Sequence, residues 1–118
     1  MASERVNRVA QRIKEEVAQI LQRELKDPRI GFITITRVNV TADLHHATVY
    51  FSFLESHGKL TEIEKGLKSA QGFIRRLLGE RLQLRVTPDL AFRSDPSVAE
   101  SIRISKLLDD LNKPEKSQ

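Results

Sequence analysis

The chain contains no cysteine. That excludes disulfides, thiol nucleophiles and zinc sites built on thiolates, and it suits a reducing cytosol. Aromatic residues are scarce: five phenylalanines, one tyrosine and no tryptophan make up 5% of the 118 residues. So thin a supply gives little support to serial stacking on splayed bases. No segment approaches the ~18 apolar residues of a membrane span, and the start MASERVNRVAQ carries charge where a signal peptide needs an apolar run. A soluble, unexported, cytoplasmic protein is expected. Neither GxxxxGK[ST] nor GxGxxG occurs, which argues against nucleotide hydrolysis.

The usual catalytic constellations are missing as well. His45 and His46 are neighbours at a hairpin, so their side chains point to opposite sheet faces and cannot share a metal without distortion. His57 stands beside Gly58 without an HExxH pattern, and Ser52 and Ser97 have no recognisable base. Turn and capping roles account for Asp89 and Asp95. No enzyme activity, cofactor, metal or small-molecule substrate is expected.

What is present is charge. There are 20 Lys plus Arg against 16 Asp plus Glu, a formal net charge of +4. Such a balance makes anionic partners plausible. The length suits one domain, here expected over residues 1–112, with a short polar tail at 113–118.

Along the chain, Ser3 can cap a helix in which Val6, Val9, Ala10, Ile13, Val17, Ile20 and Leu21 recur at three- and four-residue spacing. Arg5, Arg8, Arg12 and Arg23 form a stripe beside that apolar face. Asp27-Pro28 is expected to end the helix, and Gly31 to turn the chain into an extended run. FITITRVNV, a polar turn at Thr41 to Leu44, and HHATVYFSFL then read as an antiparallel hairpin. In the first strand Ile33 and Ile35 fall out of phase with Val38 and Val40, so a bulge is expected near Thr36-Arg37.

After the break at Ser56-His57-Gly58, Leu60, Ile63, Leu67, Ala70, Ile74, Leu77 and Leu78 maintain one helical stripe. Gly72 is a weak point within it, and Gly79 is expected as a left-handed cap. A third extended run follows through Leu82, Leu84, Val86, Leu90 and Phe92. Asp95-Pro96 opens a last helix expected over about Pro96 to Leu111. Around the two glycines cluster Arg75, Arg76, Arg81 and Arg85 against a single acid, Glu80. A bend carrying arginine forks is a ready site for phosphate, and glycine lets a nucleic-acid backbone approach closely.

Two stretches together, RVNRVAQRIKEEVAQILQRELKDPRIGFITITRVNVTADLHHATVYFSF and AQGFIRRLLGERLQLRVTPDLAFRSDPSVAESIRISKLL, closely resemble the bacterial ribosome-binding factor A family. The resemblance runs from about Arg5 to Leu108, and DPRIGF, GFIRRLLG and TPDLAF make it specific. It implies an α+β, type II KH-like fold: helix, strand, strand, kinked helix, strand, helix, with the three-stranded sheet covered by helices on one face. It also implies an interhelical kink at Ala70-Gln71-Gly72, with a second helix starting near Phe73. The function implied is late maturation of the small ribosomal subunit by a non-enzymatic factor that binds near the 5′ region of 16S rRNA and is associated with cold adaptation. The resemblance does not say which residues touch rRNA. Charge and the expected kink point to Arg5, Arg8, Arg12, Lys68, Gln71, Gly72, Arg75, Arg76, Arg81 and Arg85. A monomer is expected, and the rival reading is a KH-like protein-interaction module without direct RNA contact.

Overall fold

Ser3 lies in extended backbone, and its hydroxyl accepts from the N–H of Val6 at 3.1 Å, satisfying one of the orphan donors of a helix start. Helix α1, Glu4–Arg23, follows and buries Val6, Ile13, Val17 and Ile20. The structure is a computed structural model that describes residues 3–30, 33–54 and 59–95. The turn expected at Gly31, the break at 56–58, the final helix and the tail at 113–118 lie outside the described residues.

Helix α1 stops earlier than Asp27-Pro28: Glu24 is its cap, donating its N–H to the carbonyl of Ile20. The residues just before Pro28 leave helical geometry, and Asp27 is engaged in a turn of its own. Its carboxylate accepts the Arg29 N–H at 2.9 Å and the Arg29 guanidinium at 2.7 Å.

Strand β1, Ile33–Val40, pairs antiparallel with β2, His46–Phe53. The register slips between Ile35 and Arg37, which is the bulge expected there. One extra residue restores the phase. Ile33 and Ile35 then oppose Phe53 and Phe51, while Val38 and Val40 oppose Val49 and Ala47, all on the covered face. The connecting turn holds Leu44 at φ 65° with its N–H on the carbonyl of Thr41 at 2.8 Å.

Strand β3, Asp89–Ser94, lies parallel to β2, giving the order β1-β2-β3. A parallel neighbour needs a crossover, and helix α2, Leu60–Leu82, supplies it. Helix α1 packs on β1, and α2 on α1 and β3. Ile13, Val17 and Ile20 thereby meet Val49, Phe51, Leu67, Ile74 and Leu78 in one core. Each such side chain contributes about 1.5–3 kcal/mol by leaving water.

Three expectations for the second half are corrected. Helix α2 runs unbroken through Ala70-Gln71-Gly72, so the structure has one helix there and no interhelical break. A glycine in a helix interior costs about 1 kcal/mol, and the buried Leu67, Ile74 and Leu78 on either side outweigh it. Gly79 lies inside α2. The left-handed cap is Gln83 (φ 51°, ψ 40°), whose N–H reaches the carbonyl of Gly79, because burial of Leu82 carries the helix one turn further. Leu82 is thus helical, Leu84 and Val86 belong to the connection, and the third strand starts only at Asp89.

Candidate nucleic-acid interface

Strand β3 has β2 on one side and, among the described residues, no strand on the other. Asp89 and Asp95 donate their N–H groups toward β2, to the carbonyls of His45, the residue just before it, and of Phe51. Residues of that parity face β2, so Leu90 and Phe92 turn their backbone groups to the free edge. Helix α2 lies along this edge and is fastened to it at two points. The Gln71 side-chain amide donates to the carbonyl of Leu90. The Arg75 guanidinium donates to the carbonyl of Thr87 at 2.8 Å and of Pro88 at 3.2 Å, and it meets the Asp89 carboxylate at 3.3 Å. Between helix and strand a groove of ≈ 240 Å³ remains, lined by Glu64, Leu67, Lys68, Gln71, Ala91 and Phe92.

These contacts sort the expected RNA-binding set. Arg81 reaches back to α1, at 3.5 Å from Glu16 and 3.3 Å from Glu24, so it ties the helices together. Arg75 and Gln71 hold the approach to β3. Arg8 pairs with Glu4 at 3.5 Å on an exposed surface, where such a pair is weak. Arg5, Arg12, Lys68, Arg76 and Arg85 are exposed and form no ion pair among the described residues.

Lys68, Gly72 and Arg76 follow one another at four-residue spacing and share one side of α2. Gly72 leaves that side bare: a Cβ built on it meets nothing within 4 Å, and its φ is not in the left-handed region. The Arg76 guanidinium stands 5.5 Å from the ring centroid of Phe73, an exposed phenylalanine. The line Lys68-Gly72-Arg76 therefore offers two uncompensated cations about a stretch of accessible helix backbone, with Lys68 also lining the groove against Ala91 and Phe92 of β3. No hydrogen bond or ion pair among the described residues joins Arg5 or Arg12 to this line.

Sequence reasoning passed over Arg37, Tyr50 and Arg93. Their signal was present in β2, where Tyr50 alternates with the apolar Val49 and Phe51 and must point away from the core. Among the described residues, no group of three His, Asp or Glu side chains is placed to hold a metal ion, and no helix is long and apolar enough to cross a membrane.

A family model described as ribosome-binding factor A matches residues 5–108 of the chain. The chain belongs to the ribosome-binding factor A family. It is 44% identical over 106 residues to ribosome-binding factor A of Azoarcus sp. (strain BH72), covering 90% of this chain and 84% of that one. The crystal structure of ribosome-binding factor A from Thermus thermophilus superposes with a TM-score of 0.67 at 23% identity, over 74% of this chain and 92% of that chain. A Thermus thermophilus ribosome-binding factor A model fitted into a cryo-EM map of its complex with the 30S subunit gives 0.63, also at 23% identity, over 73% and 90%. At that identity the two structures establish the fold, an α+β domain with two helices on a three-stranded mixed sheet. The ribosome-binding factor A family comprises non-enzymatic ribosome-associated factors.

Proposed function

We propose that this chain is a cytoplasmic, monomeric assembly factor that binds the small ribosomal subunit by contacting 16S rRNA near its 5′ region and promotes late maturation of that subunit. The observation that carries this reading is the line Lys68-Gly72-Arg76 on the exposed side of α2. Cations without acid partners attract phosphate, and the arginine fork takes it bidentately. Bare Gly72 lets a sugar-phosphate backbone approach the helix. Phosphate and shape recognition suits rRNA better than base readout does, since folded RNA is recognised largely by shape and backbone. The Thermus thermophilus relative fitted to a 30S complex supports the same partner.

The test is binding of the purified chain to mature and immature small subunits across a salt series, alongside precursor rRNA profiles of a strain lacking the factor. Binding that weakens with salt, weakens further in Lys68→Ala/Arg76→Ala, and accompanies accumulation of unprocessed 16S rRNA is the expected result. Subunit binding indifferent to both salt and the double variant would overturn it.

A further inference from the structure

The sheet has a second face. The helices cover the side bearing Ile35, Val49, Phe51 and Leu90, while Thr34, Arg37, Asn39, Ala91 and Arg93 on the other side are exposed. On that side the register places Arg37 opposite Tyr50 and Tyr50 opposite Arg93, one row crossing all three strands. The Arg37 guanidinium lies over the Tyr50 ring, 3.9 Å from its centroid. Asp95 fixes it there: this buried carboxylate meets Arg37 Nε at 3.4 Å and accepts the Thr36 hydroxyl at 2.7 Å. Arg93 forms no ion pair among the described residues. Arg37, Tyr50, Glu64, Arg93 and Ser94 line a recess of ≈ 420 Å³.

We propose that this row binds single-stranded RNA, with one base stacked on the Arg37–Tyr50 pair and a neighbouring phosphate on Arg93. The inference rests on the rRNA reading for its source of RNA, and it places a contact on the sheet face opposite the helices. A guanidinium held over a ring adds positive charge to an aromatic surface, which suits the face of a base. Arg93 supplies a phosphate fork one strand away. Thr34, Asn39 and Thr48 on the same side offer neutral donors and acceptors of the kind that meet ribose hydroxyls. An acidic peptide matches the charge, but it has no planar group for the stack.

Tyr50 is the only tyrosine and the chain has no tryptophan, so intrinsic emission reports this row directly. The full chain is titrated with labelled ten-nucleotide oligouridine and oligoadenine, and with polyglutamate, reading probe anisotropy and tyrosine emission together. Both RNAs are expected to quench Tyr50 saturably, and Arg93→Ala should weaken apparent affinity about tenfold, the size of one stacked or phosphate contact. Arg37→Lys keeps the charge beside Asp95 but loses the plane, and should weaken quenching by a similar factor while circular dichroism stays unchanged. RNA binding with silent Tyr50, equal quenching by polyglutamate, or no oligonucleotide binding by a chain that still binds small subunits would each overturn this inference. Failure to bind small subunits at all would instead overturn the reading on which it rests.

Discussion

Gly79 of α2 and Thr87 of the connection to β3 are packed so closely that a Cβ at Gly79 would lie 2.6 Å from Thr87 Oγ1. This is why a glycine sits in the last turns of a helix rather than after it. Threonine is stiff about χ1, so its hydroxyl cannot simply swing aside.

Gly79→Ala is therefore expected to destabilise the fold by about 0.5–2 kcal/mol, an overpacking cost partly offset by alanine's better helix propensity. With Thr87→Ala in the background the obstacle is gone, and the same change should become neutral or stabilising by up to about 1 kcal/mol. Urea denaturation of the four-member cycle measures the coupling directly. Additivity across the cycle would mean the contact is relieved by backbone movement.

Gly72 is the counterexample. Nothing lies within 4 Å of its absent Cβ, and the helix is continuous across it. Gly72→Ala should accordingly raise stability by up to about 1 kcal/mol. Its effect on small-subunit affinity is the informative second measurement. A variant more stable but weaker in binding places RNA against the bare backbone, whereas unaltered binding leaves the flanking cations as the functional content.

These two glycines show what was legible in the sequence. The apolar stripe of Leu67, Ile74 and Leu78 gave a helix by periodicity alone, and the phase change between Ile35 and Val38 gave the bulge. The cap expected at Gly79 and the helix break expected at Gly72 are not what the fold shows, because the surroundings of these glycines depend on Thr87, eight residues beyond Gly79, and on empty space beside Gly72. Neither is a local property. The candidate basic site was legible as composition but not as individual residues: Arg75 and Arg81 look like Arg76 in the sequence, yet their partners Thr87, Pro88, Glu16 and Glu24 are fixed only by the fold. The Arg37–Tyr50–Arg93 row needs the strand register, which spacing alone does not supply.

The hairpin turn should give the protein an acid-sensitive element. Asp43 accepts the Thr41 hydroxyl at 2.6 Å and the His45 N–H at 3.0 Å, and these bonds hold its carboxyl below the ordinary carboxylate value. A depressed folded-state pKa contributes stability above the unfolded value of about 3.9, which is lost as pH falls through the folded value. Asp27, held low by the side chain and N–H of Arg29, acts in the same direction. The urea midpoint should therefore drop between about pH 5 and pH 2, and less steeply in Asp43→Asn, whose amide oxygen still accepts but does not titrate. Equal slopes for the two proteins would remove Asp43 from the acid response.

The last expectation separates two arginines that lie five residues apart on one helix. Arg81 bridges Glu16 and Glu24 with its side chain 29% exposed, so it is part of the joint between α1 and α2. Replacing it with alanine should lower stability by at most about 1 kcal/mol, as for partly exposed ion pairs, with little change in the salt dependence of subunit binding. Arg76 is exposed and has no acid partner among the described residues, so Arg76→Ala should leave the urea midpoint unchanged. It should instead weaken subunit binding and flatten the slope of log affinity against log salt by roughly 0.7–0.9, the share of one phosphate contact. Salt-dependent binding and urea denaturation on both variants decide the matter. If Arg81→Ala alters the slope and Arg76→Ala does not, the phosphate-contacting face lies at the α1–α2 joint rather than on the exposed side of α2.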